Sequence, residues 1–202
     1  MIAEKYLKEK QFFVFELDNV IYPEKDYLLQ VYYLFAQFIE YGEQLSATEV
    51  LKYMQETYLE QGEDDIFAKT AAKFNIPEKY RVNFEMLLHS VRLPLKLLIF
   101  DEVLAFLQAI VLERKQIFLF VRGNPAGQLN KIKQTDWNGL EKYLTVFFTE
   151  EFEPEKDALK LIIEQQQLDV SKMLMIGSAS LTENYAALDN VDYLDVNELF
   201  IV

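Results

Sequence analysis

The stretch Phe12-Phe13-Val14-Phe15-Glu16-Leu17-Asp18-Asn19-Val20-Ile21-Tyr22-Pro23 runs from an apolar segment into two carboxylates one residue apart. Aromatic and β-branched residues without polar alternation are the signature of a strand buried on both faces, and the spacing predicts a strand over Phe12 to Leu17. Further segments of buried-strand length are Gln116 to Val121, Thr145 to Thr149, Met173 to Ile176 and Val191 to Leu194. Between most of them apolar residues recur at three and four spacing, over Asp101 to Glu113, Pro125 to Gln134, Glu155 to Gln166 and Leu181 to Leu188. A strand-helix-strand rhythm of this kind implies α/β architecture: a Rossmann-like, mainly parallel sheet with helices on both faces.

The rhythm breaks after the first strand. From about Lys25 the pattern is helical throughout, with helices expected at Lys25 to Tyr41, Thr48 to Tyr58, Asp65 to Phe74 and Glu78 to Ser90. Ser46 followed by Glu49 fits a capping box, Pro77 suits a helix start, and Gly42, Gly62 and Asn75 are expected in the turns. Residues 22–95 are therefore read as an inserted all-helical cap, and 1–21 with 96–202 as the α/β core. In the first insert helix Tyr27, Leu28, Val31, Tyr32, Leu34, Phe35, Phe38, Ile39 and Tyr41 cover more than one stripe. That pattern fits packing against the other helices and the sheet, or a homo-oligomer contact through the aromatic face.

Composition excludes several kinds of chemistry. The 202 residues contain no cysteine and one histidine, His89, which rules out thiolate metal sites, disulfides and histidine clusters. The formal net charge of -13, from 33 acidic and 20 basic residues, would repel a phosphate backbone, so nucleic acid is not the expected partner. No apolar run reaches the roughly 20 residues that span a bilayer, and the N-terminus lacks the pattern of a secretory signal. A cytoplasmic protein without a membrane segment is expected.

Ligands of an open parallel sheet bind outside the carboxyl ends of its strands. Four such places stand out: Glu16-Leu17-Asp18-Asn19, Val121-Arg122-Gly123-Asn124, Glu150-Glu151-Phe152-Glu153-Pro154-Glu155-Lys156 and Gly177-Ser178-Ala179-Ser180-Leu181-Thr182-Glu183. In order and spacing the chain resembles the haloacid dehalogenase-like (HAD-like) superfamily, in its helical-cap subclass, and is most similar to pyrimidine 5′-nucleotidase-like members. Glu16 to Pro23 reads against the DxDxT motif, often written DLDNTLYP. Val121-Arg122-Gly123 reads against Thr-Asn-Gly, Glu153-Pro154 against Lys-Pro, and Gly177 to Thr182 against Gly-Asp-Ser-x-x-Asp.

The resemblance implies a Mg²⁺-dependent phosphotransfer site with Glu16 in place of the nucleophilic aspartate and Asp18 as general acid and base. It implies phosphate contacts from Val121, Arg122, Gly123 and Glu153, and metal contacts from Glu16, Asp18 through its backbone carbonyl, Ser178 and Thr182. Lys156, one helical turn beyond Glu153, is read as an exposed helix residue or as a substitute for the lost lysine that folds back to the site. Most of these side chains differ from the family's. Val121 has no hydroxyl to donate, Glu153 reverses the charge of the lysine, and Ser178 and Thr182 replace acidic metal ligands. Arg122 is expected either to bind an anion or to pair with Glu16, Asp18 or Glu153. Two readings follow. One is a catalytically impaired or non-catalytic protein with no cofactor, acting by binding a small phosphorylated ligand or a protein partner. The other is an active phosphatase that uses Glu16 as an atypical nucleophile and takes Mg²⁺.

Overall fold

The computed structural model describes residues 2–62, 64–152, 158–178 and 191–200. Helix α1 (Ile2–Glu9) leads into strand β1 (Phe12–Phe15). Four helices follow without an intervening strand, namely α2 (Glu24–Glu43), α3 (Ala47–Gln61), α4 (Ile66–Phe74) and α5 (Arg81–Ser90), the last entered through a 3-10 turn at Glu78–Tyr80. The chain then forms β2 (Leu97–Leu98), α6 (Asp101–Leu112), β3 (Gln116–Val121), α7 (Pro125–Gln134), β4 (Thr135–Asp136), β5 (Leu144–Phe148), α8 (Ala158–Gln166), β6 (Met173–Gly177) and β7 (Asp192–Asp195).

Five strands form one parallel sheet in the order β5-β3-β1-β6-β7, with β1 at its centre. Side-chain alternation then decides what packs where. Phe13 and Phe15 of β1, Ile117, Leu119 and Val121 of β3, and Leu174 and Ile176 of β6 share one face and bury against Val103, Phe106, Leu107 and Ile110 of α6. Val14, Phe118, Phe120, Met173 and Met175 point the other way, onto Ala158, Leu159 and Ile162 of α8. Both faces are thus apolar, which is why the strands read as unbroken hydrophobic runs. The short pair β2 and β4 is a separate two-stranded parallel sheet that no sequence pattern marks. Helix α1 was likewise not expected. Lys115 holds it down, its ammonium donating to the carbonyls of Leu7 and Lys10.

The segment α2–α5 buries Tyr27, Leu28, Val31, Tyr32, Phe35, Ala36 and Ile39 along one broad face of α2. Phe35 meets Phe84 of α5 edge-on at 5.1 Å and Phe67 of α4 at 5.9 Å. Phe38 and Tyr41 lie outside this face and are exposed. The Ser46 hydroxyl accepts from the Glu49 N–H and caps α3, while Gly62 and Asn75 close α3 and α4. Gly42 is a correction: it lies inside the last turn of α2, not in a turn between helices. Tyr80 packs so closely there that a Cβ would stand 3.1 Å from its hydroxyl, and the left-handed residue that ends the helix is Gln44.

The expected helix at Leu181 to Leu188, and the first turn of the one expected from Glu155, lie outside the described residues. Among the described residues no helix is long and apolar enough to cross a membrane. Phe106 touches both Phe13 and Phe15 edge-on, at 5.6 and 6.1 Å, and is almost wholly buried. Replacing it by alanine removes an aromatic side chain from a packed core, so Phe106→Ala is expected to lower unfolding free energy by about 3–5 kcal/mol. Leu112→Ala, on the exposed end of the same helix, should change it by less than about 0.5 kcal/mol. Urea denaturation of both variants checks the contrast.

Candidate functional site

β1 ends at Phe15, yet the Glu16 N–H still donates to the Ile176 carbonyl at 3.1 Å, so Glu16 stays in line with the sheet. The chain then turns tightly. The Leu17 carbonyl accepts from the Ile21 N–H at 2.9 Å, and the Asn19 N–H donates to the Tyr22 carbonyl at 3.0 Å. Asn19 sits at φ 60, a left-handed conformation that asparagine tolerates better than most residues. Its side-chain oxygen accepts from the Glu24 N–H at 3.1 Å and its amide donates to the Glu24 carboxylate at 3.2 Å. The turn is therefore fastened to the first residue of α2.

Strand order changes direction between β1, which leads to β3, and β6 on its other side. At the carboxyl ends of these strands lies a crevice of about 380 Å³ lined by Glu16, Asp18, Asn19, Arg122, Gln128 and Ser178 among others. This is where an open α/β sheet places its ligands.

Glu16 forms the crevice floor. Its side chain is 8 % exposed, one oxygen lies 3.4 Å from the Arg122 guanidinium, and the other accepts from the Ser178 N–H at 3.3 Å. Burial pushes its carboxyl up to about 7, against the lowering pull of Arg122 and the Ser178 N–H and with a further push from Asp18. Asp18 has a different environment. The Tyr22 hydroxyl donates to one of its oxygens at 2.7 Å, and the Gln128 amide and Lys131 ammonium donate to the other at 3.0 and 2.9 Å. Tyr22 is fully buried, and burial together with Asp18 holds its hydroxyl well above the ordinary tyrosine range.

Lys131, on α7, is the cation of this network. It is buried, bonds Glu24 at 3.2 Å as well as Asp18, and lies 5.1 Å above the Tyr27 ring. Burial works against its charge, but Asp18 and Glu24 outweigh it and hold the ammonium above the usual lysine range. Gln128, one turn before it, also donates to the Arg122 carbonyl at 2.7 Å. Both of its amide partners are acceptors, which fixes the orientation of the group. The Gln128 carbonyl oxygen is left buried and without a hydrogen bond among the described residues.

Of the residues singled out from sequence, Glu16, Asp18, Arg122, Gly123 and Ser178 line the crevice. Gly123, at φ 94, turns the chain there, and a Cβ on it would press to 3.3 Å from the Gln128 amide. Val121 is instead buried in the apolar core beneath. Glu153, Lys156, Thr182 and Glu183 lie outside the described residues. Ser178 contributes backbone: its N–H serves Glu16, and its carbonyl accepts from the Tyr193 hydroxyl at 2.5 Å.

Lys131 and Gln128 were not anticipated from the sequence. The signal was present, since Asn124, Gln128 and Lys131 fall at four and three spacing on one face of a helix that starts just after the turn at Gly123. Glu16 is a poor magnesium ligand here, because both of its oxygens already face donors and one of those carries positive charge. Among the described residues no group of three acidic or histidine side chains is placed to hold a metal.

Comparison with known proteins agrees on the fold. No protein-family model and no curated protein matches the chain in sequence. Among solved structures, a hydrolase from Streptococcus pneumoniae superposes with a TM-score of 0.56 at 14% identity, over 92% of each chain. The Bacillus subtilis protein YfnB, a HAD-hydrolase by its crystallographic description and bound to magnesium, gives 0.58 at 12% identity, over 92% of this chain and 86% of its own. An L-2-haloacid dehalogenase gives 0.54 at 15% identity, over 95% of this chain and 97% of its own. The chain has the haloacid dehalogenase-like hydrolase fold. At these identities the likeness is one of architecture, and the chemistry rests on the side chains described above.

Raising the Glu16 carboxyl from its ordinary 4.5 to about 7 ties proton binding to folding, by about 3 kcal/mol in full. The folded chain holds that proton more tightly than the unfolded one. The linked stability is therefore fully present below about pH 4.5 and lost as pH rises through about 7. The stability of the wild type relative to Glu16→Gln should fall by about 2.5 kcal/mol between about pH 5 and about pH 8.5. Chemical denaturation across that range tests it, and a flat difference would show that Glu16 is not buried as described.

Proposed function

We propose that this HAD-like hydrolase-fold protein is catalytically impaired or non-catalytic and acts by binding a ligand or a protein partner at the strand-end crevice. The observation that carries this reading is the environment of Asp18. An acid-base catalyst must offer an oxygen within about 2.6–3.2 Å of the proton it moves. The carboxylate of Asp18 already receives three donors, from Tyr22, Gln128 and Lys131, out of about four acceptor directions. Moving a proton on or off it would break that set.

Glu16 supports the same conclusion. Burial raises the Glu16 carboxyl towards neutral pH, which favours its protonated form, and a protonated acid does not attack phosphorus. The longer side chain also displaces the attacking oxygen by about an ångström from where an aspartate would place it, a misplacement that can cost on the order of a hundredfold in rate. Arg122 pairs with Glu16, so an incoming phosphate would compete with an internal carboxylate for the guanidinium. Glu153, where the resemblance places a lysine, adds the wrong charge.

The test is phosphate release from a panel of small phosphomonoesters with Mg²⁺, comparing wild type, Glu16→Asp and a variant carrying Glu16→Asp, Val20→Thr, Val121→Thr, Glu153→Lys, Ser178→Asp and Thr182→Asp. Wild type and Glu16→Asp are expected at background, because cooperating groups act as a unit and restoring one leaves the others missing. The combined variant is expected above background. Robust wild-type turnover that disappears in Glu16→Ala would establish the other reading, a phosphatase with Glu16 as its nucleophile.

A further inference from the structure

The helical segment α2–α5 leaves the sheet at residues 19–24 and returns to it at 91–96, and any swing of that segment over the crevice must change backbone torsions at these two crossings. Both are held by one face of α7. Lys131 bonds Glu24 at the outgoing crossing and Asp18 just before it. Asn130 donates to the Val91 carbonyl at 2.8 Å on the returning crossing. Gln134 donates to the same carbonyl at 2.7 Å, and its own oxygen accepts from the Leu93 N–H at 2.5 Å.

The crossings are also tied to each other and to α2. The Phe100 N–H donates to the Ile21 carbonyl at 3.0 Å, and the Leu95 N–H donates to the Gln30 side chain at 2.8 Å. One turn earlier on the same face of α7, Gly127 lets α5 approach without a gap: a Cβ there would stand 2.9 Å from the His89 Nδ1 and 3.6 Å from the Leu88 carbonyl oxygen. Beneath these bonds the apolar core does not divide. Phe13, Phe106 and Leu119 of the sheet layer belong to the same buried cluster as Tyr27, Phe35 and Phe84 of the helical segment.

We propose that α7 clamps the helical segment to the sheet in a single posture, so that the crevice of about 380 Å³ beside Arg122 is preformed. Lys131, Asn130 and Gln134 are the positioning residues of this clamp. Opening would strip a buried ammonium of the Glu24 carboxylate and leave the Val91 carbonyl without its two donors, and removing one partner of a buried ion pair is among the costliest changes a fold can suffer. The contrast is with the magnesium-bound Bacillus subtilis protein, whose crystallographic description reports interdomain movement. The clamp goes beyond the proposed function, and its test reads no activity.

Because the chain has no cysteine, Tyr41→Cys on α2 and Leu112→Cys at the end of α6, both at highly exposed positions, accept two spin labels without background. Pulsed electron paramagnetic resonance should give one narrow distance distribution, unchanged by magnesium and inorganic phosphate. In the same labelled protein, Lys131→Met and the pair Asn130→Ala with Gln134→Ala should each add a broader or longer population while circular dichroism reports native helix content. A wild-type distribution that is broad, bimodal or shifted by the two probes overturns the single posture whatever the variants do. Folded variants that stay narrow overturn the role of α7.

Discussion

The ammonium of Lys131 lies between the carboxylates of Asp18 and Glu24, at 2.9 and 3.2 Å, with the Tyr27 ring beside it. Without that cation two largely buried carboxylates would lie close together near the start of α2 with no opposite charge between them. With it, each carboxylate can do a second task. Asp18 accepts the hydroxyl of the fully buried Tyr22, which lets a tyrosine sit inside the core with its polar end satisfied. Glu24 binds Asn19 and places negative charge in the first turn of α2, where the helix dipole favours it. The turn after β1, the start of α2 and the position of α7 are consequently one electrostatic unit.

The same pairing defines what the crevice presents to a ligand. Among the described residues its ionic side chains are paired, Glu16 with Arg122 and both Asp18 and Glu24 with Lys131, so a newcomer that sought one of these cations would have to exchange with a carboxylate. Arg122 is the more exposed of the two cations, 41 % against 10 % for Lys131, so exchange at the Glu16 pair disturbs less of the fold. Backbone geometry is another matter. The left-handed Gly123 and the Ser178 N–H that meets Glu16 are set by the path of the chain and not by the identity of the side chains around them.

The sheet was legible because its strands are buried on both faces, so β1, β3 and β6 appear as unbroken apolar runs bounded by polar residues. The helices between them, and the string α2–α5, were legible from periodicity and from caps such as Ser46 and Asn75. Features held by long-range contacts were not. Helix α1 depends on Lys115, far along the chain, and β2 and β4 are two residues each, too short to carry a period. Gly42 looks like a turn residue, yet it lies in the last turn of α2, where the close approach of Tyr80 leaves little room for a side chain. In the site, motif positions located Glu16, Asp18 and Arg122, but Lys131 belongs to no motif. Its role exists only because α7 packs across the loop after β1, and a helix-face reading from Gly123 onward was the one route to it.

The central position of β1 sets the order in which this molecule can assemble. Phe12 takes its strand partners from Gln116 on one side and Met173 on the other, so β1 waits until β6 has been made before it is paired on both sides. The helices that follow it close mainly local contacts and can collapse early, whereas the sheet pays loop-closure entropy across long separations. A nascent chain of this topology holds Phe12-Phe13-Val14-Phe15 as an apolar strand with at least one open edge throughout that interval. The segment on which the finished fold most depends is thus also the one most in need of protection during synthesis.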